Sequence, residues 1–421
     1  MIRFFISTLF LIGGLQSLFA ENVCATNEKQ THPKMLFNLN YNDMLNIKTE
    51  LSEGKPEIVN AYSQIILMAD SMLNLPPLKV TDGDMPPSGN PHDIFTIGKY
   101  AFPNPNTPDG MPYIRKDGVI NEEAYGYKYD LARYDRTIER VNVLSLAWFY
   151  SGNEKYADKA AEFLRVWFLN SETKMNPNFN CAAALPGVYD GMAIGIIFGV
   201  KLIDFLDHVQ LLTLSDSWTN TDNTALKTWF NEYAEWLLTS KFGIEESRAK
   251  NNHGSWYSAQ VAAAAVYNGN VELAKQMIDK GKTQIAELIE MNNNAYPNGA
   301  MPHELRRNQS FLYSLYGLES FCALAGCGAA IGYDLWHFET PDGRGIKVAF
   351  EFLVPYLLEK KQWTYESLRP TEELMPKALH IVRQAAAAYK TADLIAAQEH
   401  VQQYAKDDPL KWLERKNYYH K

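Results

Sequence analysis

The spacing of apolar residues constrains the fold of this chain more than any other feature of its sequence. From residue 40 onward, apolar side chains mostly recur every three or four positions, and runs of strict alternation are scarce. The first pattern places apolar side chains on one face of an α-helix, whereas the second would predict β-strands. Segment 137–150 shows the helical pattern, with Ile138, Val141 and Trp148 on one face. We therefore predict a fold that is all-α or nearly so.

The predicted helices come in pairs separated by short polar turns. The helix over 137–150 ends at Ser151-Gly152-Asn153, and a second helix begins at Glu154. The same plan returns at 258–291, around the turn 268–270, and more loosely at 311–358. Helical hairpins that are apolar on one side must pack side by side to bury their apolar faces. When the series of hairpins closes into a ring, every apolar face is buried. Because the copies differ in length, we predict an incomplete (α/α) toroid or barrel of antiparallel helical hairpins instead of a regular solenoid.

One long segment, 75–129, interrupts the helical pattern. It is rich in Pro, Gly, Asn and Asp, and a connection of this length inside a compact domain is usually functional. Its aromatic and basic residues favour a lid or cleft wall over a flexible linker, which would be rich in Ser and Gly. The domain prediction is a single toroidal domain over 21–421, with lid-like loops over 75–129.

Composition and charge restrict the class of protein. The 421 residues are 46% hydrophobic and 13% aromatic, which excludes a disordered or fibrous chain. The formal net charge of −9 argues against a nucleic-acid-binding protein. Residues 1–20 have the layout of a signal peptide, and no later stretch is apolar enough for a membrane span. We therefore expect a periplasmic or secreted protein.

Two clusters carry residues suited to chemistry. The first, Lys-Asn-Asn-His-Gly-Ser-Trp-Tyr at 250–257, precedes the apolar run 261–266. Asn at a helix start is most often a cap and a lone His is most often structural, but here an amide, an imidazole, an indole and a phenol occur together. The second cluster, 301–316, contains Arg306, Arg307 and Tyr313, for which the alternative is a surface Arg pair and a core Tyr.

These clusters and the 75–129 segment together resemble the alginate lyase superfamily of polysaccharide lyases. The matching motifs occur in order along residues 90–358: His92-Asp93, Phe-Pro-Asn-Pro at 102–105, 109–118, Asn-Asn-His-Gly at 251–254, 304–314, Asp-Leu-Trp at 334–336, and Asp-Gly-Arg at 342–344. The resemblance implies an α/α toroid that cleaves a 4-linked uronate polysaccharide, with mannuronate-rich alginate the first candidate, by β-elimination. It implies that an Asn–His pair and an Arg–Tyr pair form the catalytic site, which assigns Asn252, His253, Arg307 and Tyr313, with Arg306 as the alternative arginine.

These residue types suit β-elimination, in which the C5 proton leaves, negative charge builds on the C6 carboxylate, and the C4 oxygen departs. Asn252 and His253 can stabilise the carboxylate charge. Tyr313 can carry the proton, provided that Arg307 lowers the phenol pKa from its usual value of about 10. Where the C5 proton and the C4 oxygen lie on opposite sides of the ring, His253 is the expected base and Tyr313 the acid. No metal or other cofactor is expected, because no zinc or calcium ligand pattern occurs.

The predicted partner is an anionic uronate polysaccharide or oligosaccharide, and neither a nucleic-acid partner nor a membrane span is expected. Aromatic and basic side chains should line its subsites, although Tyr and Trp at helical spacing more often belong to the core. The residues predicted to bind substrate are His92, Tyr100, Tyr129, Arg136, Trp256, Tyr257, His303 and Arg306.

Three alternatives remain open at the level of sequence. The first is a lyase for glucuronan or a glycosaminoglycan. The second is a glycoside hydrolase on the same architecture, which requires two carboxylates such as Asp130 with Asp135, or Asp190 with Glu304. The third is a helical protein that binds glycans without cleaving them.

Overall fold

Fifteen α-helices account for most of the regular structure in the residues described by the computed structural model, 35–405 and 408–414. The helices, in chain order, are α1 (Tyr41–Ser52), α2 (Pro56–Met72), α3 (Leu131–Ser151), α4 (Glu154–Leu164), α5 (Lys201–Leu212), α6 (Asn220–Thr239), α7 (Lys241–Glu246), α8 (Asn252–Asn268), α9 (Val271–Leu288), α10 (Pro302–Leu305), α11 (Ser310–Ala330), α12 (Ile346–Leu357), α13 (Met375–Tyr389), α14 (Ala392–Gln402) and α15 (Pro409–Leu413).

The helices pack as hairpins in two layers. Helices α3, α5, α8, α11 and α13 form a series in which each contacts the next, and α4, α6, α9, α12 and α14 flank that series. The α3–α4 and α8–α9 turns use Gly152 and Gly269, which cap the preceding helix at φ 68° and 77°. Glycine adopts this left-handed conformation without a Cβ penalty. The predicted incomplete (α/α) toroid is confirmed.

Helix α8 lies at the centre of this arrangement. It contacts α5, α6, α9 and α11, and every residue from 254 to 267 is buried. Gly254 allows a close approach of the backbone before α8, since a Cβ there would lie 2.1 Å from the carbonyl oxygen of Ala249. Packing on all sides therefore fixes the position of the α8 N-terminus, which carries Asn252 and His253.

The helix boundaries differ from the sequence predictions at several ends. The helix predicted over 137–150 begins earlier, at Leu131, and the helix that starts at Glu154 ends in a π-turn over Arg165–Leu169. The C-terminal stretch 369–413 forms the three helices α13, α14 and α15. Among the helices of the described residues, none combines the length and the apolarity that a membrane crossing requires. The predicted signal peptide over 1–20 lies outside the described residues.

Segment 75–129, here called the cleft-wall segment, carries three of the four short strands found among the described residues. Strand β1 (Phe95–Ile97) pairs in parallel with β4 (Cys181–Ala184), and β2 (Ala101–Phe102) pairs antiparallel with β3 (Ile114–Arg115). The backbone N–H groups of Gly98 and Asp130 extend this pairing by donating to Ala184 and Phe95. Backbone hydrogen bonds thus fix residues 95–98 of the segment to β4 and to the start of α3.

Candidate active site

A cavity of about 740 Å³ lies between the cleft-wall segment, the N-terminus of α8 and the start of α11. All four residues predicted to be catalytic, Asn252, His253, Arg307 and Tyr313, line it. Two come from the first turn of α8, and two come from the α10–α11 junction some fifty residues later in the chain. The toroid therefore brings the two sequence clusters to one cavity.

Asn252 is held by a buried carboxylate. Its backbone N–H donates to Oε1 of Glu304 at 2.7 Å, and its side-chain amide donates to Oε2 at 2.8 Å. Both residues are only 2% exposed, and burial raises the pKa of Glu304 although the two hydrogen bonds from Asn252 oppose this. The two-point contact fixes the amide and leaves one side-chain N–H for another acceptor.

His253 is oriented by a second carboxylate. Its Nδ1 lies 2.5 Å from Oε1 of Glu246, which is buried at the end of α7. Asn251 caps α8 by accepting from the His253 backbone N–H at 3.1 Å. Glu246 thus sets which ring nitrogen carries the proton, and Nε2 remains to interact with a ligand in the cavity.

Arg307 and Tyr313 pack against each other. The guanidinium carbon of Arg307 lies 3.9 Å from the centroid of the Tyr313 ring, which is a close cation–π contact. The two residues are six apart, but Arg307 precedes α11 and Tyr313 lies in its first turn, so they need not share a helical face. Nη2 of Arg307 also pairs with Asp117 at 3.1 Å.

Tyr313 has a raised pKa. Burial is the main cause, and a hydrogen bond of 2.9 Å to the hydroxyl of Tyr100 adds to it, while Arg307 opposes the shift. The expectation that Arg307 brings the Tyr313 pKa below its usual value does not hold, because desolvation outweighs the nearby cation. Tyr313 is therefore a neutral phenol near neutral pH.

The cleft-wall segment is attached to the α10–α11 junction directly beside these residues. Asn308 and Gln309 donate from their side-chain amides to the carbonyl oxygens of Asp117 and Gly118, at 2.9 and 3.0 Å. Gly118 has φ 76°, and a Cβ there would lie 2.4 Å from Nδ2 of Asn308. Only glycine fits this approach, so the end of the β3 hairpin depends on Gly118.

The cavity is cationic although the chain is acidic. Lining carboxylates come from Asp117, Asp135 and Glu246. They are outnumbered by lining cations, which are Lys99, Arg115, Lys201, Arg307, Arg369 and Lys377. An excess of positive charge in a concave site favours an anionic ligand.

Comparison with known proteins identifies the family. The family model described as alginate lyase matches residues 80–363. The crystal structure of an alginate lyase from Bacteroides ovatus is 31% identical, with a TM-score of 0.82 over 89% of this chain and 98% of that chain. The chain belongs to the alginate lyase family.

More distant structures share the fold of this alginate lyase family member. Two variants of alginate lyase A1-III, an enzyme from Sphingomonas species A1, were solved in complex with tetrasaccharide. The histidine-to-alanine variant is 15% identical, with a TM-score of 0.56 over 94% of this chain and 98% of that one. The tyrosine-to-phenylalanine variant is also 15% identical, with a TM-score of 0.54 over 87% and 90%. A search of curated protein sequences found no match.

The aromatic residues predicted to bind substrate divide into one that lines the cavity and three that do not. Tyr100 lines the cavity and bonds to Tyr313. Trp256 and Tyr257 are buried along α8, and the ring centroids of Trp256 and Tyr316 lie 5.1 Å apart. Tyr129 is 2% exposed and packs edge-on against Phe95. Trp256, Tyr257 and Tyr129 are thus core residues, as their helical spacing or apolar surroundings require.

The other residues predicted to bind substrate also lie outside the cavity. Arg306 points away from it and donates to the hydroxyl of Tyr296 at 3.0 Å, so Arg307 is the arginine that faces the cavity. Arg136 is exposed on α3, and His303 is exposed on α10 behind Asn252. Nδ1 of His92 bonds to the Lys174 carbonyl oxygen at 2.6 Å and anchors a loop.

Sequence reasoning missed several residues that line the site of this lyase, and it named Glu304 only within a motif and as a possible hydrolase carboxylate. Glu246 and Glu304 orient the predicted catalytic pair, but no spacing rule links them to Asn252 and His253. The cations Lys99, Lys201, Arg369 and Lys377 line the cavity from four separate elements and carry no local signal. Among residues 35–405 and 408–414, no three His, Cys, Asp or Glu side chains are grouped to hold a metal ion.

Proposed function

We propose that this member of the alginate lyase family cleaves 4-linked uronate polysaccharide, and alginate in particular, by β-elimination. One observation carries the proposal: an amide, an imidazole, a guanidinium and a phenol line a single cation-rich cavity. The alginate lyase activity named for the Bacteroides ovatus structure, to which this chain is similar over 89% of its length, supports the choice of polymer.

Neutralisation of the substrate carboxylate is the first requirement of the reaction. The Asn252 amide retains one N–H after bonding to Glu304, and His253, whose Nδ1 is taken by Glu246, lines the same cavity. Both residues belong to the first turn of α8, where the helix dipole also favours negative charge. These donors stabilise the charge that grows on the C6 carboxylate as the C5 proton departs, so they act mainly on the transition state.

Proton transfer is assigned to Tyr313 and His253, according to the substrate. In mannuronate the C5 proton and the C4 oxygen lie on the same side of the ring, so one side chain can reach both. Tyr313, as phenolate, takes the C5 proton and then donates it to the departing C4 oxygen. Because its pKa is raised in the free enzyme, only a small fraction of Tyr313 begins as phenolate near neutral pH.

In guluronate the C5 proton and the C4 oxygen lie on opposite faces of the ring, so different side chains act as base and acid. His253, oriented by Glu246, takes the C5 proton through Nε2. Tyr313 is already a neutral phenol and donates its proton to the C4 oxygen. In both cases the products are a new reducing end and an unsaturated uronate at the new non-reducing end, so atoms and charge balance without water. We also propose that the reaction needs no metal ion.

The deciding experiment measures ultraviolet absorbance of the unsaturated uronate. The purified protein is incubated with mannuronate-rich alginate, guluronate-rich alginate, glucuronan and a glycosaminoglycan, each with and without a chelator. We expect absorbance to rise fastest on mannuronate-rich alginate and to be unaffected by the chelator. New reducing ends without absorbance would identify a hydrolase, and binding without either product would identify a non-catalytic glycan-binding protein.

The carboxylates proposed for a hydrolase have other partners. Asp130 is buried and pairs with Arg133 at 2.9 Å, and Asp135 pairs with Lys201 at 2.8 Å. Glu304 accepts both hydrogen bonds from Asn252, and Asp190 is exposed outside the cavity lining. These contacts favour a lyase over a glycoside hydrolase, which needs two carboxylates facing one glycosidic bond.

Export to the periplasm or the medium remains a prediction from residues 1–20. The basic Arg3, the apolar run and Ala20 support it. N-terminal sequencing of the protein recovered from fractionated cells tests it, since an exported protein should lack this segment.

A further inference from the structure

A second group of cations lies in the cavity apart from the proposed catalytic residues. Lys99 is half-buried, and its ammonium lies 5.3 Å from the ring centroid of Phe198 and 6.0 Å from that of Tyr125. In the part of the chain that the structure describes, no carboxylate lies within ion-pair distance of Lys99. Aromatic faces attract an ammonium but do not replace the hydration that burial removes.

Lys99 shares its surroundings with two further lysines. Lys201 pairs with Oδ2 of Asp135 at 2.8 Å, whereas Oδ1 of that carboxylate is buried without a hydrogen-bond partner. Lys377 lines the same cavity from the first turn of α13 and has no ion pair within the described ranges. Burial lowers the pKa of Lys99; Asp135 opposes this, while Lys201 and Lys377 lower the pKa further. Three ammonium groups thus share one carboxylate.

The position of Lys377 adds to the unfavourable charge. The first turn of α13 contains no acidic residue, and no side chain caps it. A helix N-terminus carries partial positive charge, which disfavours a lysine there, although Lys377 is exposed and Glu372 and Glu373 lie in the 3-10 turn before the helix. A bound anion would relieve both the repulsion among the lysines and that at the helix.

We propose that Lys99 and Lys377 bind the carboxylate of a second uronate unit, adjacent to the unit whose C5 proton is removed. The inference rests on the proposed function and adds a subsite to it. Lys99 directly precedes Tyr100, whose hydroxyl bonds to Tyr313, and consecutive Cα atoms are about 3.8 Å apart. The second carboxylate site therefore adjoins the proton carrier without including any of the four catalytic residues.

Such a subsite gives the enzyme a preference for longer oligosaccharides in which neighbouring units each carry a carboxylate. A substrate that reaches both carboxylate sites gains a charge-assisted interaction that a shorter one lacks. Since this interaction forms before and during the reaction alike, it should lower KM with little effect on kcat.

The test replaces each lysine with methionine, which retains the length of the side chain and removes its charge. Lys99→Met and Lys377→Met are assayed on mannuronate oligosaccharides of increasing length. We expect KM on the longer oligosaccharides to rise about tenfold, with kcat changing less than about threefold. The KM of the variants should also depend less on ionic strength, because one interacting charge is lost.

Lys128→Met is the matched control. Lys128 belongs to the same segment and lies 5.3 Å from an aromatic centroid, that of Tyr129, but it is exposed and lies outside the cavity lining. Its replacement should leave KM unchanged at every chain length.

Thermal melting separates a binding role from a structural one. Removing an ammonium that is half-buried without a direct ion pair should leave the melting temperature of Lys99→Met equal or higher. A lower melting temperature with unchanged KM would overturn the subsite, and so would an unchanged KM at normal stability. These outcomes are distinct from failure of the proposed function, in which the wild-type protein would release unsaturated uronate from none of the polymers.

Discussion

The guanidinium of Arg307 covers the face of the Tyr313 ring, at 3.9 Å from the ring centroid, while the Tyr313 hydroxyl bonds to Tyr100. A cation over the ring face stabilises both the neutral phenol and the phenolate. A cation beside the hydroxyl would stabilise the phenolate more selectively and so lower the pKa further. Burial therefore dominates, and the Tyr313 pKa is raised in the free protein. Arg307 in this position keeps the ring oriented and adds positive charge to the cavity.

Tyr313→Phe should reduce kcat by at least about 10²-fold, because the ring and its contact with Arg307 remain while the proton carrier is lost. Binding of oligosaccharide, measured by calorimetry, should change little. Tyr100→Phe removes only the hydrogen-bond partner and should lower kcat by less than about tenfold. Equal losses in the two variants would contradict the assignment of Tyr313 as the proton carrier.

The pH dependence of kcat/KM should differ between the two alginate types. On mannuronate-rich polymer Tyr313 must be ionised, and below its raised pKa the phenolate fraction grows about tenfold per pH unit. The rate should therefore climb with pH and reach no plateau below about pH 10. On guluronate-rich polymer Tyr313 must stay protonated, which its raised pKa ensures, so the profile should lack this continued rise and level off at lower pH. A mannuronate profile that also levels off early would assign the base to His253 for both polymers.

Glu304→Gln should reduce kcat through Asn252. The carboxylate accepts from both the backbone and the side chain of Asn252, and an amide would present a donor to one of these N–H groups. We expect kcat to fall about tenfold or more with a smaller change in KM, since Asn252 acts mainly on the transition state. Glu319→Gln is the control, because Glu319 lies on α11, pairs with His380 at 2.8 Å and is outside the cavity lining. An active Glu304→Gln enzyme would show that Asn252 needs no such support.

Gly118→Ala should disconnect the β3 hairpin from the α10–α11 junction. Its φ of 76° disfavours alanine, and the added Cβ would collide with the Asn308 amide. Gly89→Ala imposes a similar φ of 75° with nothing within 4 Å, so it should cost about 1 kcal/mol of stability and leave activity intact. The additional loss in Gly118→Ala, measured by denaturant unfolding and by kcat/KM, reports the contact with Asn308. Identical behaviour of the two variants would mean that this contact is unimportant.

The helical fold was readable from the sequence because each hairpin is amphipathic and ends at a turn such as Gly152 or Gly269. The ends of helices were harder to predict from the sequence. Residues 131–136 of α3 are helical because they pack against the cleft-wall segment, and their apolar spacing alone did not indicate a helix. The strands β1 and β4 could not be predicted, because they are short and their partners lie more than eighty residues apart.

The site was predictable where its residues fall in compact motifs and unpredictable where it is assembled from distant elements. Asn252 and His253 are adjacent, and Arg307 lies close to Tyr313 in the chain. The prediction for Trp256 and Tyr257 failed because α8 is enclosed on all sides, so that aromatic residues near its start enter the core. Lys99 and Lys377 are single lysines, and only the folded chain brings them together.

The enclosure of α8 also bears on how this family member can diverge. A helix with no solvent-facing side cannot shift or rotate to suit a different sugar. The positions of the Asn252 amide and the His253 imidazole at the N-terminus of α8 are therefore fixed. Adaptation to another polymer must then come from the strands and turns across the cavity, where Tyr100, Arg115 and Asp117 can be exchanged without repacking the interior.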